Sequence, residues 1–272
     1  KVAIVEREME IGGVCVHTGT IPSKTFREAV LVLTNIHNGG RNGLALAARP
    51  SAADLVARVD EIVVREVRVQ RDQLRRNGVT VIDGCAEFDD PHTLVVKSSQ
   101  GERRVSADHI LVAVGTHPVR PSHAPADLAC VITSDDVLKL PDLPRTMVVI
   151  GCGVIGIEYA SMFSALGVKV AVVDARPRPL EFIDGEIVDE LVHQMRSRMV
   201  TFRLGEAVER IECRGGTQDQ AVVHLQSGKR LVADLVLTST GRQGASERLK
   251  LDRAGLAADE RGRLKVDEQF RT

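Results

Sequence analysis

The chain has 272 residues, of which 43% are hydrophobic and 27% are charged, an ordinary balance for a folded globular protein. Its formal net charge of −1 gives no electrostatic reason to expect a nucleic-acid or anionic-membrane partner. No apolar run reaches the ~18 residues that a membrane-spanning helix needs. The length accommodates two domains of the usual size.

Five cysteines are scattered along the chain: Cys15, Cys85, Cys130, Cys152 and Cys213. Their odd number and wide spacing do not suggest a disulfide framework or a zinc site. We therefore predict free thiols, no metal centre and a reducing, cytoplasmic location.

The first predicted element is a buried strand over residues 1–6, built on a short apolar run at 2–5 that stops at Glu6. Two helices follow, one over residues 20–33 and a longer one that is capped by Ser51 and ends near Gly78. Short strands separated by turn residues are predicted at 80–83, 93–97, 103–106 and 110–114. Clustered prolines after residue 117 mark the predicted domain boundary.

A glycine loop follows a second buried strand, predicted at 147–150. Gly151, Gly153 and Gly156 match the pattern G-x-G-x-x-G, and the next strand ends in Asp174. A strand, this loop and a helix in succession are typical of dinucleotide binding, because the glycines let a pyrophosphate approach the helix N-terminus. We predict that these four residues bind a nucleotide.

The residues after this strand give two signals about the nucleotide. Asp174 can accept a hydrogen bond from a ribose 2′-hydroxyl, which favours NAD, whereas Arg176 and Arg178 can bind a 2′-phosphate, which favours NADP. Both signals are consistent if both nucleotides bind. The alternative is that the arginines are solvated loop charges.

Glu6 ends its strand as Asp174 ends the later one, so we predict that it binds the ribose of a second dinucleotide. Its own glycine loop is expected ~20 residues upstream, before the first residue of this chain. Because the chain also begins at Lys1 rather than Met, we interpret it as part of a longer polypeptide. A simple surface charge is the alternative for Glu6.

Residues 12–24 read GGVCVHTGTIPSK and resemble the active-site segment of the pyridine-nucleotide disulfide oxidoreductases, GGxCxxxGCxPSK. Three further blocks occur in the family's order: ILVAVGT at 110–116, GVIGIEYAS at 153–161 and TGRQG at 240–244. The resemblance covers nearly the whole chain. It implies an α/β fold with two Rossmann-like dinucleotide-binding domains of the three-layer ββα type.

The resemblance also implies the domain organisation and the cofactors. Residues 1–117 are expected to form an N-terminally truncated FAD-binding domain, 118–245 an NAD(P)-binding domain, and 246–272 the start of the return to the FAD domain. FAD, NAD and NADP are the expected cofactors, and the family's dimerisation domain is absent, so the parent protein is expected to be a homodimer or a larger homo-oligomer. Besides the residues named above, the family's cofactor-binding positions fall on Gly12, Gly13, Cys15, Gly115 and Gly241.

Thr20 stands where the family has the second cysteine of a redox disulfide, and Cys15 occupies the first position. A hydroxyl cannot form a disulfide, so electrons cannot pass from a reduced flavin to a protein disulfide. The substitution resembles the branch of the family that transfers hydride between NADPH and NAD+ through FAD. Cys15, without its partner, is expected to be an inert buried thiol.

Lys24 matches the family's lysine near flavin N5, and Glu158 matches the glutamate that pairs with that lysine. A cation there stabilises negative charge on the reduced flavin. The resemblance therefore assigns the catalytic roles to Thr20, Lys24 and Glu158. Two unrelated surface charges are the alternative for Lys24 and Glu158.

Other functions stay open at this point. Thr20 is equally compatible with a diaphorase or oxidase that passes electrons to a quinone or oxygen. The missing first glycine loop favours a truncated, non-enzymatic nucleotide-binding module for this chain alone. A dithiol–disulfide reductase ranks last, because it needs a sulfur at position 20.

Overall fold

The computed structural model describes residues 1–39, 51–121, 129–214 and 220–272. The chain divides into two compact units. The first contains Lys1–Ile21, Glu61–His117 and Arg242–Thr272, and the second contains Pro22–Asp60 and Pro118–Gly241. Within the described ranges, no helix combines the length and the apolar composition needed to cross a membrane.

The helices and strands alternate in the second half of the chain. The helices are α1 (Gly13–His17), α2 (Thr20–Gly39), α3 (Ala52–Arg76), α4 (Val154–Ala165) and α5 (Gly185–Ser197). The first strands are β1 (Ala3–Glu6), β2 (Thr80–Asp83), β3 (Cys85–Asp90), β4 (Thr93–Ser98), β5 (Gly101–Ser106), β6 (Thr116–Pro118) and β7 (Val131–Thr133). The later strands are β8 (Thr146–Ile150), β9 (Lys169–Asp174), β10 (Thr201–Leu204), β11 (Val208–Arg214), β12 (Gln220–Leu225), β13 (Arg230–Ala233), β14 (Leu235–Thr238) and β15 (Arg242–Gly244).

A parallel sheet of five strands forms the centre of the second unit, in the order β10-β9-β8-β14-β7. Its central strands are continuous apolar runs because both faces of such a sheet are covered. Val148, Val173 and Val236 are buried there in one core cluster with Val223 of β12. β12 belongs to a separate antiparallel sheet of three strands, β11-β12-β13. The predicted α/β class is confirmed.

The first unit contains three small sheets. β1 pairs in parallel with β2, in a register that sets Glu6 opposite Asp83. β3, β4 and β5 form an antiparallel sheet, and β15 pairs with β6. The C-terminal segment of the unit is attached to β3, because the Phe88 N–H donates to the Leu249 carbonyl at 2.8 Å and Lys250 Nζ lies 2.6 Å from Glu87 Oε1.

The compact units and the predicted domains divide the chain differently at residues 22–60, which group with the second unit, and at 242–245, which group with the first. The assignment of 1–117, 118–245 and 246–272 to FAD-binding, NAD(P)-binding and returning segments therefore stays a proposal. The predicted cap of the long helix is confirmed: the Asp54 N–H donates to Ser51 Oγ at 3.2 Å, and Ser51 Oγ donates to Asp54 Oδ2 at 2.7 Å.

The predicted strand at 110–114 is wrong. No described strand pairs with this segment, and its apolar residues are not covered by the unit: the Leu111 side chain is 89% exposed. An apolar run is enough to predict a strand, but a strand forms only where a neighbouring chain supplies its hydrogen bonds.

The prediction that all cysteines are free thiols is also wrong. Cys130, which directly precedes β7, forms a disulfide with Cys213 of β11, and their Cα atoms lie 6.4 Å apart. The two residues are separated by 83 positions, so their proximity comes from the packing of the two sheets in one core and not from any local spacing. Cys15, Cys85 and Cys152 are free.

This disulfide is expected to stabilise the second unit. Closing a loop of 83 residues restricts the unfolded chain, which corresponds to about 2–4 kcal/mol for typical disulfides. We expect a reductant to lower the free energy of unfolding of the wild-type protein by that amount, measured by urea denaturation. The double variant Cys130→Ala/Cys213→Ala should show no dependence on reductant, and Cys85→Ala should behave as wild type. A wild-type protein indifferent to reductant contradicts this account.

Candidate functional site

The glycine loop lies at the carboxyl end of β8 and leads directly into α4. The Gly151 N–H donates to the Val173 carbonyl of β9 at 2.8 Å, which fixes the start of the loop against the sheet. Gly151 has φ +107°, and a Cβ there would lie 2.5 Å from the Ser239 carbonyl oxygen. A Cβ at Gly156 would overlap the Gly151 carbonyl oxygen. Both positions therefore require glycine for the fold itself.

Gly153 differs from these two glycines, because a Cβ added there meets nothing within 4 Å. It precedes the first residue of α4, and no side chain among the described residues caps this helix N-terminus or places an acidic group in its first turn. A helix N-terminus without a protein anion attracts a phosphate through its free N–H groups and its dipole. The residues present therefore fit a pyrophosphate.

Asp174 ends β9 beside this loop, and its carboxylate accepts hydrogen bonds from neighbouring residues. Asp174 Oδ2 accepts the Cys152 N–H at 2.7 Å and Arg176 Nη2 at 2.7 Å. Asp174 Oδ1 accepts the Arg176 N–H at 2.8 Å and Nε at 3.1 Å. The sequence predicted the position of this carboxylate but not its hydrogen bonds to Arg176.

Cys152 connects the glycine loop to the segment after β9. Its thiol is buried and lies 3.6 Å from the Arg178 carbonyl oxygen. Burial, together with the neighbouring Asp174 carboxylate, raises the pKa of the Cys152 thiol to about 12, so it is protonated at neutral pH and can donate. The Arg178 guanidinium is bound elsewhere, since Nη2 donates to Asp189 Oδ1 at 2.6 Å and to the Gly185 carbonyl at 3.2 Å.

Lys24 and Glu158 are in contact within the second unit, as the resemblance implies. Lys24 Nζ lies 2.9 Å from Glu158 Oε1, although the residues are 134 positions apart. The pair joins α2 to α4, and the rings of Phe26 and Phe163 join the same two helices with centroids 6.1 Å apart. Glu158 is the one charged residue of α4, which is otherwise apolar and largely buried.

The exposure of the Lys24 and Glu158 side chains differs. The Glu158 side chain is 20% exposed and the Lys24 side chain is 62% exposed. A largely buried carboxylate needs a partner, and Lys24 supplies it. The lysine keeps most of its own surface accessible.

The other predicted active-site residues lie at the surface of the first unit or at its edge. Thr20 is exposed and starts α2, one helical turn before Lys24. Cys15 lies in α1 and is exposed, so the expectation of a buried thiol is wrong. The two positions are five residues apart in sequence and lie on separate helices.

The remaining predicted cofactor-binding residues lie in loops or at the ends of helices and strands. Gly12 and Gly13 form the start of α1. The Gly115 carbonyl accepts the Ala245 N–H at 3.1 Å in the first unit, and the Gly241 carbonyl accepts the Val119 N–H at 3.0 Å in the second. Glu6 ends β1, and its carboxylate accepts the Glu8 N–H at 3.1 Å.

A cavity of about 830 Å³ opens in the first unit just beyond Glu6 and was not predicted from the sequence. Its basic side chains come from four separate parts of the chain: Arg7, Arg71, Lys97 and Arg248. Three of these have carboxylate partners, because Arg7 pairs with Glu8 at 3.0 Å, Arg71 with Glu10 at 2.8 Å and Lys97 with Glu87 at 2.8 Å. Glu8 and Asp83 also line the cavity, which is therefore polar and carries charges of both signs.

Known proteins are similar to this chain in sequence and in fold. The soluble pyridine nucleotide transhydrogenase of Mycobacterium tuberculosis (strain ATCC 25177 / H37Ra) is 48% identical, with 100% of this chain and 58% of that protein covered. The protein of the same description from Vibrio parahaemolyticus is 39% identical with the same coverage.

Two solved structures are also similar. The Cu(II) complex of the HOCl-induced flavoprotein disulfide reductase RclA from Escherichia coli has a TM-score of 0.88 at 29% identity, covering 100% of this chain and 58% of that one. LpdA from Mycobacterium tuberculosis has a TM-score of 0.90 at 26% identity, covering 100% and 59%.

The chain thus spans 58% of the length of the transhydrogenases that it matches. Its residues 1–272 match the family described as pyridine nucleotide-disulphide oxidoreductase. The chain belongs to the pyridine nucleotide-disulphide oxidoreductase family.

Proposed function

We propose that the protein containing this chain is an FAD-dependent oxidoreductase that transfers hydride between NADPH and NAD+. The observation that carries the proposal is Thr20, which leaves the active-site segment with one sulfur, Cys15, and so removes the disulfide on which a dithiol reductase depends. The two transhydrogenases that are 48% and 39% identical support the same reaction.

The glycine loop supports nicotinamide-nucleotide binding in the second unit. Gly153 and the uncapped N-terminus of α4 would hold the pyrophosphate, and Asp174 and Arg176 would bind the adenosine ribose or its 2′-phosphate. In the first unit, Glu6, Gly12, Gly13 and Gly115 would bind FAD, as the family resemblance implies.

FAD, when bound, supplies the hydride chemistry, accepting hydride from one nicotinamide and returning it to another. Lys24 would contribute a positive charge that offsets the negative charge gained on reduction. Glu158 positions that ammonium group through the 2.9 Å contact and is itself shielded in α4. The Thr20 hydroxyl, one turn earlier on α2, offers a neutral polar surface in place of a nucleophilic sulfur.

The reaction is tested by following NADPH-dependent reduction of a thio-NAD+ analogue without oxygen, with parallel assays that offer oxygen or a quinone instead. Efficient reduction of the analogue supports the proposal. Electron transfer to quinone or oxygen without reduction of the analogue identifies a diaphorase or oxidase, the second candidate, with which Thr20 is equally compatible. Visible absorbance of the purified 272-residue chain determines whether this part alone retains flavin.

Thr20→Cys is expected to create a disulfide with Cys15. The motivation is the match of residues 12–24 to a family segment in which cysteines at these two positions are bonded. Thiol titration of this variant under oxidising conditions should find neither the Cys15 thiol nor the introduced thiol. Both should appear after reduction and denaturation, in addition to the thiols of Cys130 and Cys213. Thr18→Cys puts a thiol at a different spacing and should remain free. Two free thiols in the Thr20→Cys variant would show that the segment is not arranged as in the family.

Family resemblance further supports a homodimer or larger oligomer in the cytoplasm. Size-exclusion chromatography with light scattering tests the oligomeric state. The redox state of Cys130 and Cys213 in cells tests the location, because disulfides are rare in reducing compartments. Alkylation of cells at the moment of lysis should trap these two cysteines as thiols if the protein is cytoplasmic.

A further inference from the structure

Asp174 has no vacant hydrogen-bonding position for a ribose while Arg176 is bound to it. Its two oxygens accept four hydrogen bonds, one from Cys152 and three from Arg176, at 2.7–3.1 Å. A carboxylate offers about four lone-pair positions, and all are occupied. A ribose 2′-hydroxyl can therefore reach Asp174 only after the guanidinium has left.

The guanidinium is the movable member of this pair. The Asp174 side chain is 8% exposed, whereas that of Arg176 is 45% exposed. Two of the four donors to Asp174 are backbone N–H groups, of Cys152 and of Arg176 itself, and these remain when the side chain leaves. Guanidinium groups bind carboxylates and phosphates in the same bidentate manner, so a phosphate is a direct competitor for Arg176.

We propose that Arg176 discriminates between the two nucleotides by competition at Asp174. A 2′-phosphate draws the guanidinium away from Asp174 and binds it, whereas a ribose 2′-hydroxyl has to displace the guanidinium without offering it a new partner. Arg176 therefore favours NADP(H) and disfavours NAD(H). The inference rests on the proposed binding of nicotinamide nucleotides at the glycine loop.

The surroundings of the pair support this division of roles. Burial acts to raise the pKa of the Asp174 carboxyl, but hydrogen bonds from Arg176 and from the Cys152 amide outweigh it and hold that pKa well below its usual range. Asp174 is thus ionised, and it can accept a hydroxyl once the Arg176 guanidinium has left. Arg178 is engaged with Asp189 and the Gly185 carbonyl, which leaves Arg176 as the arginine that contacts the carboxylate.

The test compares two ligands that differ only in the 2′-phosphate, adenosine 2′,5′-bisphosphate and 5′-AMP. Their dissociation constants are measured by calorimetry on the full protein and on three variants. Arg176→Gln should weaken the bisphosphate about ten-fold or more, because charge-assisted bonds are lost, and should tighten AMP about three-fold, because Asp174 becomes available. Asp174→Asn should have the opposite sign, tightening the bisphosphate and weakening AMP.

Arg203→Gln is the matched control, because it removes an exposed cation close to Asp174 in the sheet. Arg203 lies on β10 and pairs with the residue that precedes Asp174 on β9. It should change each constant less than about two-fold, as expected for a screened surface charge. Equal changes for both ligands in Arg176→Gln, or no change, overturn the inference.

The experiments distinguish failure of the proposed competition at Asp174 from failure of the proposed transhydrogenase activity. Opposite-signed effects in a protein that does not reduce the NAD+ analogue support the competition and refute the transhydrogenase. Efficient reduction of the analogue together with parallel changes in both ligands refutes the competition alone. Failure of the wild-type protein to bind either ligand overturns the competition together with the nucleotide site on which it rests.

Discussion

Gly156→Ala is expected to destabilise the second unit and, by distorting the glycine loop, to weaken nucleotide binding. The added methyl group overlaps the Gly151 carbonyl oxygen and comes within 2.6 Å of Ser239 Oγ. Neither atom can move freely: the Gly151 N–H is bonded to Val173, and Ser239 Oγ donates to the Ile150 carbonyl at 2.9 Å. Overpacking at a rigid backbone site corresponds to about 3 kcal/mol or more.

Gly153→Ala, in the same loop, is the matched comparison and should fail in a different way. A Cβ there meets nothing, and the backbone at φ −75° and ψ −175° is accessible to any residue. We therefore expect the stability to change by less than about 0.5 kcal/mol. The methyl group lies where a pyrophosphate has to approach the backbone, so NADH affinity should fall at least about ten-fold.

Two measurements separate these variants. Thermal unfolding should show a midpoint about 6–12 °C lower for Gly156→Ala, as a loss of about 3 kcal/mol produces in a protein of this size, and an unchanged midpoint for Gly153→Ala. Quenching or enhancement of NADH fluorescence should show weakened binding in both. A Gly156→Ala protein as stable as wild type contradicts the close packing of the loop. Wild-type NADH affinity in Gly153→Ala shows that the pyrophosphate does not bind at this helix.

The parts of this site that sequence reasoning predicts lie within a short stretch of chain. Strand β8, the loop, α4 and Asp174 are encoded in fewer than 30 consecutive residues, where the change from an apolar run to glycines to a helical pattern can be read directly. The predicted cap at Ser51 is local in the same way. Each depends on neighbours that the chain itself places together.

Contacts between distant segments could not be predicted in this way. Cys130 and Cys213 meet because two separate sheets share one core, and no spacing of 83 residues indicates that. The segment at 110–114 has the composition of a strand without a partner. The sequence indicates that Arg176 is a positive charge near the nucleotide site. Its hydrogen bonds to the Asp174 carboxylate depend on side-chain geometry after folding.

The Lys24–Glu158 contact is intermediate between these cases. It joins residues 134 positions apart, and only the family resemblance brings them together in advance. One local signal does exist, because Glu158 is the single charge on an apolar helix. A buried face with one carboxylate predicts that some cation lies opposite, although not which one.

Lys24→Met is expected to slow flavin reduction by NADPH about 100-fold. The substitution keeps the length and the apolar stem of the side chain but removes the positive charge. Removing one charged or hydrogen-bonding group that stabilises developing negative charge lowers rates by about 10²–10³-fold. Anaerobic stopped-flow absorbance of the flavin band measures this step apart from the reoxidation by NAD+.

A second readout distinguishes an electrostatic role of Lys24 from a structural one. Loss of a cation near the flavin should shift its midpoint potential to more negative values, by about 30 mV for each ten-fold change in the two-electron equilibrium. Lys139→Met removes an exposed lysine of the same unit, whose ammonium group lies 3.8 Å from Asp136, and should leave both the rate and the potential unchanged. A slow Lys24→Met protein with the wild-type potential indicates misplaced substrate and not lost charge.

Glu158→Gln tests whether the glutamate acts through Lys24. Glutamine retains a hydrogen-bond acceptor for Lys24 Nζ, so we expect the lysine to stay near its position but to be held less firmly. Flavin reduction should then slow about ten-fold, which is less than in Lys24→Met. In the double variant, Glu158→Gln should add little to the loss already caused by Lys24→Met, because the two residues act as one unit. Fully multiplicative losses would show that Glu158 acts on the nucleotide or the flavin by a route that does not pass through the lysine.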